Sequence, residues 1–262
     1  MKDILGENDK IAAAVHERLV SQRVFVLNLL GSPGSGKTTL LEKTMAALKD
    51  EMKMAVIEGD LFTSKDADRI ARHGVPVIQI NTSGGCHLDA PMVEKALAAL
   101  PTAGLDLLVI ENVGNLVCPA EFALGEDAKA VVLSVTEGND KPMKYPLIFK
   151  ESALTILNKI DLADAVTLAA LRTGLPDAVT VSARTGEGIE ELRARIEQML
   201  PHPQVSIDVV VPYSRGDLVS RVHAEGEIDT VDYVEAGTHV VARVGAALAA
   251  EIEGAAAGAT VG

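Results

Sequence analysis

Gly31-Ser32-Pro33-Gly34-Ser35-Gly36-Lys37-Thr38 fits G-x-x-x-x-G-K-[ST] at every fixed position and follows the apolar run Val24 to Leu30. That spacing is the signature of a phosphate-binding loop. Glycines at 31, 34 and 36 allow backbone conformations closed to other residues, so successive N–H groups, including that of Ser35, can turn toward a triphosphate. Lys37 is placed to reach the terminal phosphates and to assist their transfer. Thr38 opens a helix whose N-terminus favours anions, and its hydroxyl is a candidate magnesium ligand, with Thr39 the next nucleotide contact.

Asn158-Lys159-Ile160-Asp161 follows another apolar run, Ala153 to Leu157. The Asp161 carboxylate can accept from both guanine N1–H and the exocyclic N2 amine, a pair that adenine lacks, so this residue can select GTP over ATP. Ser182 and Ala183, in Ser182-Ala183-Arg184-Thr185-Gly186, form a second base-side loop. Asp60, after the second strand, is a candidate for magnesium and for catalysis, and Asp66 is a second catalytic candidate. The plainer alternative for both is an acid that caps a helix. Glu111 and Gly114, in Glu111-Asn112-Val113-Gly114, stand where a loop sensing the γ-phosphate belongs.

Cys86-His87 and Cys118 place two thiols and an imidazole in loops just past two predicted strands. Such ligands suit zinc, nickel or copper(I). Neighbours on a regular strand face opposite ways, so Cys86 and His87 can share an ion only if Ser83-Gly84-Gly85 makes an irregular turn. A water or a second chain would supply a fourth ligand. The alternative is two buried cysteines and a solvated histidine, the commoner use of free cysteine.

The elements that must position these residues alternate. Strands are predicted at Val24–Leu30, Met54–Ile57, Val75–Ile80, Leu107–Ile110, Ala130–Val135 and Ala153–Leu157, and helices at 8–21, 38–48, 64–72, 90–100 and 189–200. Apolar runs without alternation are those of parallel strands covered on both faces. The fold expected is α/β, a P-loop NTPase with a mostly parallel sheet and helices on both faces, over residues 1–200. Pro201-His202-Pro203 marks a boundary. Beyond it, a small α+β module is predicted over 204–252, and the Ala/Gly-rich residues 253–262 are expected to be disordered. With a net charge of −13 and no basic run in 262 residues, a broad nucleic-acid footprint is disfavoured. No stretch reads as a signal peptide or a membrane span, so a cytoplasmic protein that avoids membranes is expected, in which the two cysteines form no structural disulfide.

Several segments together resemble the hydrogenase-maturation nickel-insertion GTPases, the HypB family. They are Gly31–Leu41, Glu58-Gly59-Asp60, Asp66-Ala67-Asp68-Arg69-Ile70, Cys86-His87-Leu88-Asp89-Ala90, Glu111 through Ala120, and Glu137 through Pro146. The resemblance covers about residues 1–161. It implies GTP and GDP as nucleotides, nickel or zinc on Cys86, His87 and Cys118, and a nucleotide-dependent homodimer in which Lys144 reaches the partner's nucleotide. It further implies delivery to a hydrogenase precursor alongside other nickel-insertion accessory proteins. Ser83 stands where that family suggests glycine, and Leu162 and Val166 lie where it pairs subunits. Residues 172–252 instead resemble the C-terminal part of the ribosome-associated GTPase HflX. A ribosome- or RNA-associated GTPase is therefore the rival reading, with the ribosome as partner of the C-terminal module, and an engineered chimera a third.

Overall fold

A computed structural model of the chain describes residues 2–60, 65–200 and 205–259. The chain divides into two compact units, 1–197 and 198–262. The Pro201-His202-Pro203 segment, Ser64 and residues 260–262 lie outside the described residues.

In the first unit, helix α1 (Lys2–Ser21) leads into strand β1 (Phe25–Gly31), followed by α2 (Lys37–Leu48), β2 (Met54–Asp60), α3 (Lys65–Ala71), β3 (Val77–Asn81) and α4 (Ala90–Leu97). Then come β4 (Leu107–Glu111), α5 (Cys118–Glu121), β5 (Ala128–Ser134), α6 (Lys141–Lys144), α7 (Pro146–Glu151) and β6 (Leu154–Asn158). Helix α8 (Ala165–Gly174), strand β7 (Val179–Thr180) and helix α9 (Ile189–Met199) complete the run. The seven strands form one sheet in the order β3-β2-β4-β1-β5-β6-β7, and every pairing is parallel.

Burial on both faces explains the unbroken apolar strands. On one face Val26, Ile57, Leu108 and Ile110 pack against Val15 and Leu19 of α1 and Val93 and Leu97 of α4. On the other, Leu27, Leu29, Leu107 and Val109 meet Leu40, Leu41 and Met45 of α2 and Leu192 and Ile196 of α9. Each fully buried aliphatic side chain contributes about 1.5–3 kcal/mol relative to exposure. Parallel strands all point their carboxyl ends one way, and β1, β2, β4 and β6 deliver the phosphate loop, Asp60, Glu111 and Asn158 to that edge.

The second unit contains β8 (Val205–Val211), α10 (Gly216–Glu225), β9 (Glu227–Val234), β10 (Gly237–Val244) and α11 (Ala246–Ala259). Its antiparallel sheet runs β8-β10-β9. Ile207, Val211, Val240, Ala242 and Val244 form a separate core with Leu218 and Val222 of α10 and Leu248, Ala249 and Ile252 of α11. The expectation of a disordered end at 253–262 is corrected in part, because α11 extends through Ala259. Apolar residues in its first turns anchor it to the core, and alanine propagates the helix well. Among the described residues no helix is long and apolar enough to cross a membrane.

Candidate nucleotide and metal sites

Gly34 and Gly36 hold φ of 75° and 96°, the left-handed conformation that the loop needs before it enters α2. A Cβ on Gly36 would lie 2.5 Å from Asn158 Nδ2, so glycine also permits the base-side loop to close on this one. Asn158 Nδ2 donates to the Ser35 carbonyl at 3.0 Å, and Lys159 Nζ to the Gly34 carbonyl at 2.6 Å. Lys37 is buried and donates to the carbonyls of Gly31 and Ser32 at 3.2 and 3.4 Å. Burial lowers its pKa, opposed mainly by the charge of Glu111.

One cleft is lined by Gly34, Gly36, Lys37, Thr38, Thr39, Asp60, Asp66, Glu111, Gly114 and Lys159. The phosphate-side candidates and Asp60, Asp66 and Glu111 thus share one cleft, whereas Gly31, Ser35, Asn158, Asp161, Ser182 and Ala183 are not among its lining residues. The cleft also includes Glu58 and Arg69, which the motifs did not single out as site residues. In the sequence Glu58 directly follows the predicted strand Met54–Ile57, and only the sheet register sets it beside Glu111. Arg69 donates to Thr39 Oγ1 at 3.1 Å and pairs with Asp66 and Glu42. Asp66 therefore holds an arginine at the cleft wall.

Thr38 Oγ1 donates to Glu111 Oε1 at 2.8 Å, while Oε2 of Glu111 and Oε2 of Glu58 are buried without a hydrogen-bond partner. Burial raises both carboxyls, Glu58 to about 8 and Glu111 to about 7. Hard oxygen donors with unmet acceptor capacity beside Thr38 fit a magnesium ion.

At the base side, Ala183 N donates to Asn158 Oδ1 at 3.2 Å and Ser182 Oγ to Asp161 Oδ1 at 2.6 Å. Asp161 Oδ2 is taken by Arg184, whose Nε and Nη2 lie 2.9 and 2.7 Å away. The Ser182 hydrogen bond and then the arginine hold the carboxyl below its ordinary pKa. Lys144 is exposed and paired with Asp140, and it does not line the cleft.

The ligand atoms of Cys86, His87 and Cys118 all lie within 4.8 Å of one another. Cys86 Sγ is 3.3 Å from Cys118 Sγ and 3.5 Å from His87 Nδ1. The irregular turn that this adjacency requires is present: Ser83 has φ 51° and Gly84 has φ 97°, and Gly85 N donates to the Thr82 carbonyl at 3.0 Å. Ser83 takes without glycine a conformation that costs a non-glycine residue about 1–2 kcal/mol, and Asn81 Oδ1 caps its N–H at 2.8 Å. His87 stacks at a tilt on Phe122, ring centres 4.0 Å apart. Partial burial lowers the imidazole pKa, which favours the neutral ring, the form in which one nitrogen can ligate a metal. The hydrogen bond from Cys86 and burial raise the Cys118 thiol. The cluster can hold a soft or borderline cation in exchange for protons.

Fold and site define a P-loop nucleotide-binding protein whose phosphate edge carries a thiol–imidazole cluster. Residues 25–182 match the nucleotide-binding domain of the CobW/HypB/UreG family, and residues 167–257 match the HflX C-terminal domain. The chain is 52% identical over 205 residues to the hydrogenase maturation factor HypB of Azotobacter vinelandii, covering 75% of this chain and 68% of that protein. It is also similar to two solved structures. HypB from Helicobacter pylori in complex with nickel aligns with TM-score 0.66 and 39% identity over 73% of this chain and 94% of that one. Hydrogenase maturation factor HypB from Archaeoglobus fulgidus aligns with TM-score 0.67 and 37% identity over 75% and 100%. The chain belongs to the HypB family, and both resemblances read from its motifs are met.

Proposed function

We propose that this chain is a GTP-hydrolysing metallochaperone that binds nickel and assists its insertion into a [NiFe]-hydrogenase. The observation that carries this reading is the convergence of Cys86, His87 and Cys118 within 4.8 Å, in loops continuous with the phosphate edge of the sheet. The nickel complex of the Helicobacter pylori relative supports it.

In this account Arg184 leaves Asp161 Oδ2 when guanine arrives, and Asp161 then accepts from N1–H and N2 while Ala183 N–H faces the base. Lys37 exchanges its two carbonyl partners for phosphate oxygens, and the N–H groups of the loop from Gly31 to Thr39 surround them. Thr38, Asp60 and Glu111 would hold magnesium, which neutralises charge on the phosphates. Hydrolysis then depends on orientation and charge stabilisation, with Lys37, Asp60 and Asp66 at the cleft and Arg69 held beside Thr39. Both thiols must give up protons to a metal, so nickel or zinc binding weakens as pH falls.

The three protein ligands leave a position for water or for a second copy of the chain, as a GTP-dependent homodimer would supply. Lys144, exposed on α6, would then meet the partner's nucleotide. The hydrogenase precursor and its accessory proteins are the proposed partners, in the cytoplasm. A second reading, a ribosome-associated GTPase, has one specific observation in its favour, the match of residues 167–257 to the HflX C-terminal domain. Competition binding tests the nucleotide claim: GTP and GDP displace a labelled guanine nucleotide, while ATP at equal concentration does not. Equal displacement by ATP would overturn it.

A further inference from the structure

The segment leaving β4 touches both sites: Asn112 Oδ1 accepts from Leu88 N, beside His87, at 3.1 Å, and Asn115 reaches the phosphate loop and both thiol-bearing loops. The Asn115 N–H donates to the Gly31 carbonyl at 3.1 Å, an isolated bridge to the residue that opens the phosphate loop. Its side chain holds both thiol-bearing loops. Nδ2 donates to the Cys86 carbonyl at 3.2 Å, and Oδ1 accepts from the N–H of Val117, the neighbour of Cys118, at 2.9 Å. Beside it, Gly114 lies so close to the phosphate loop that an added Cβ would be 2.9 Å from Pro33 Cα. Asn115 thus hydrogen-bonds to the phosphate loop and to both thiol-bearing loops at once.

We propose that Asn115 is the positioning residue through which the phosphate loop sets the geometry, and hence the metal affinity, of the Cys86–His87–Cys118 cluster. The inference rests on the nucleotide and metal sites proposed above. A γ-phosphate adds charge and volume beside the loop and Gly114. Any displacement of Gly31, Pro33 or Gly114 moves Asn115, and with it the backbone on which both thiols stand. Metal–thiolate bonds of about 2.3 Å tolerate deviations of only about 0.2 Å, so small backbone shifts are read as affinity.

Asn8 supplies the internal control. It is buried on α1 and also ties the two metal-bearing loops: its Oδ1 accepts from Ala90 N, three residues past His87, and its Nδ2 donates to the Ala123 carbonyl, each at 2.9 Å. Neither of these bonds reaches the phosphate loop. Asn8 is thus an anchor of the metal loops, while Asn115 links them to the nucleotide.

The test is nickel titration of the full chain, against a chelator competitor, loaded either with Mg-GDP or with a magnesium complex of a non-hydrolysable GTP analogue. Wild type is expected to differ by about fivefold or more between the two states. In Asn115→Ala the ratio falls to within about twofold of unity, whatever the absolute affinities. Asn115→Asp keeps the acceptor for Val117 but loses the donor to Cys86, so its ratio falls as well, and it serves should the alanine variant fold poorly. Asn8→Ala weakens nickel binding in both states and keeps the wild-type ratio. A wild-type ratio in both Asn115 variants, an equal collapse in Asn8→Ala, or identical nickel affinity of wild type in both states would each overturn the inference and leave the metal site standing. Undiminished nickel binding after Cys86→Ala and Cys118→Ala would instead overturn the metal site itself.

Discussion

Glu58 on β2 and Glu111 on β4 are partners in the same parallel register, both buried, each with one carboxylate oxygen lacking a hydrogen bond. Two such groups side by side resist simultaneous ionisation. They are raised to about 8 and about 7 from 4.5, so between pH 5 and 8 the folded chain binds more protons here than the unfolded chain does. Their contribution to stability is complete below the ordinary carboxylate pKa and is lost as pH rises through 7 to 8. In urea titrations without nucleotide or magnesium, wild type should lose stability relative to Glu58→Gln across this window, by up to about 1.4 kcal/mol per pH unit, the slope of the one carboxyl that the variant lacks. Magnesium favours the ionised forms and should flatten the slope. A wild type whose stability relative to the variant rises from pH 5 to 8 would contradict the assignment.

The second prediction concerns base choice. Asp161→Asn should lower GTP affinity by at least about 100-fold and improve binding of xanthine nucleotides, because the amide presents a donor where the carboxylate accepted. Since Arg184 occupies Asp161 Oδ2 in the structure, Arg184→Ala should speed guanine-nucleotide association. Stopped-flow binding with a fluorescent GDP checks both. Unchanged GTP affinity in Asp161→Asn would sink the base-reading role.

The third prediction tests how closely the two loops approach. Gly36→Ala would force a Cβ to within 2.5 Å of Asn158 Nδ2 at φ 96°, so guanine-nucleotide affinity should fall more than about tenfold, with most of the fold retained. Near-UV circular dichroism reports folding, and nucleotide titration reports the loss. Full affinity in this variant would mean that the loop geometry is not required.

What was legible in the sequence was local. The phosphate loop declared itself because its glycines, Lys37 and Thr38 act within eight consecutive residues, and the parallel strands because burial on both faces demands apolar runs. Glu58 was overlooked as a site residue because its role depends on Glu111, its neighbour only through sheet register. Strand β9 is hard to read from sequence because the edge of a small sheet tolerates Glu227, Asp229 and Asp232 on an exposed strand. Helix α11 reads as low-complexity sequence until Leu248, Ala249 and Ile252 are seen in a core. The adjacency of Cys86 and His87 could be stated only as a condition on the preceding turn, and the positive φ of Ser83 meets it.

The fourth prediction separates the two units. A chain ending at Leu200 retains the whole nucleotide cleft and the Cys86–His87–Cys118 cluster, so it should bind guanine nucleotide and nickel within about twofold of full length, each unit having its own core. Co-sedimentation with ribosomes in the presence of a non-hydrolysable GTP analogue should then be confined to the full chain if the C-terminal unit serves that partner. Loss of nickel binding on truncation would show that the second unit takes part in the metal chemistry.

The central claim is that Cys86, His87 and Cys118 hold the metal that this GTPase delivers. Its most direct test is a nickel titration of wild type, Cys86→Ala, Cys118→Ala and the double variant, with guanine-nucleotide affinity measured on the same samples and His73→Ala as a control. Each cysteine variant should lose at least about tenfold in nickel affinity, binding by wild type should release protons and weaken as pH falls, and nucleotide binding should persist throughout. Wild-type nickel affinity in the double variant would contradict it.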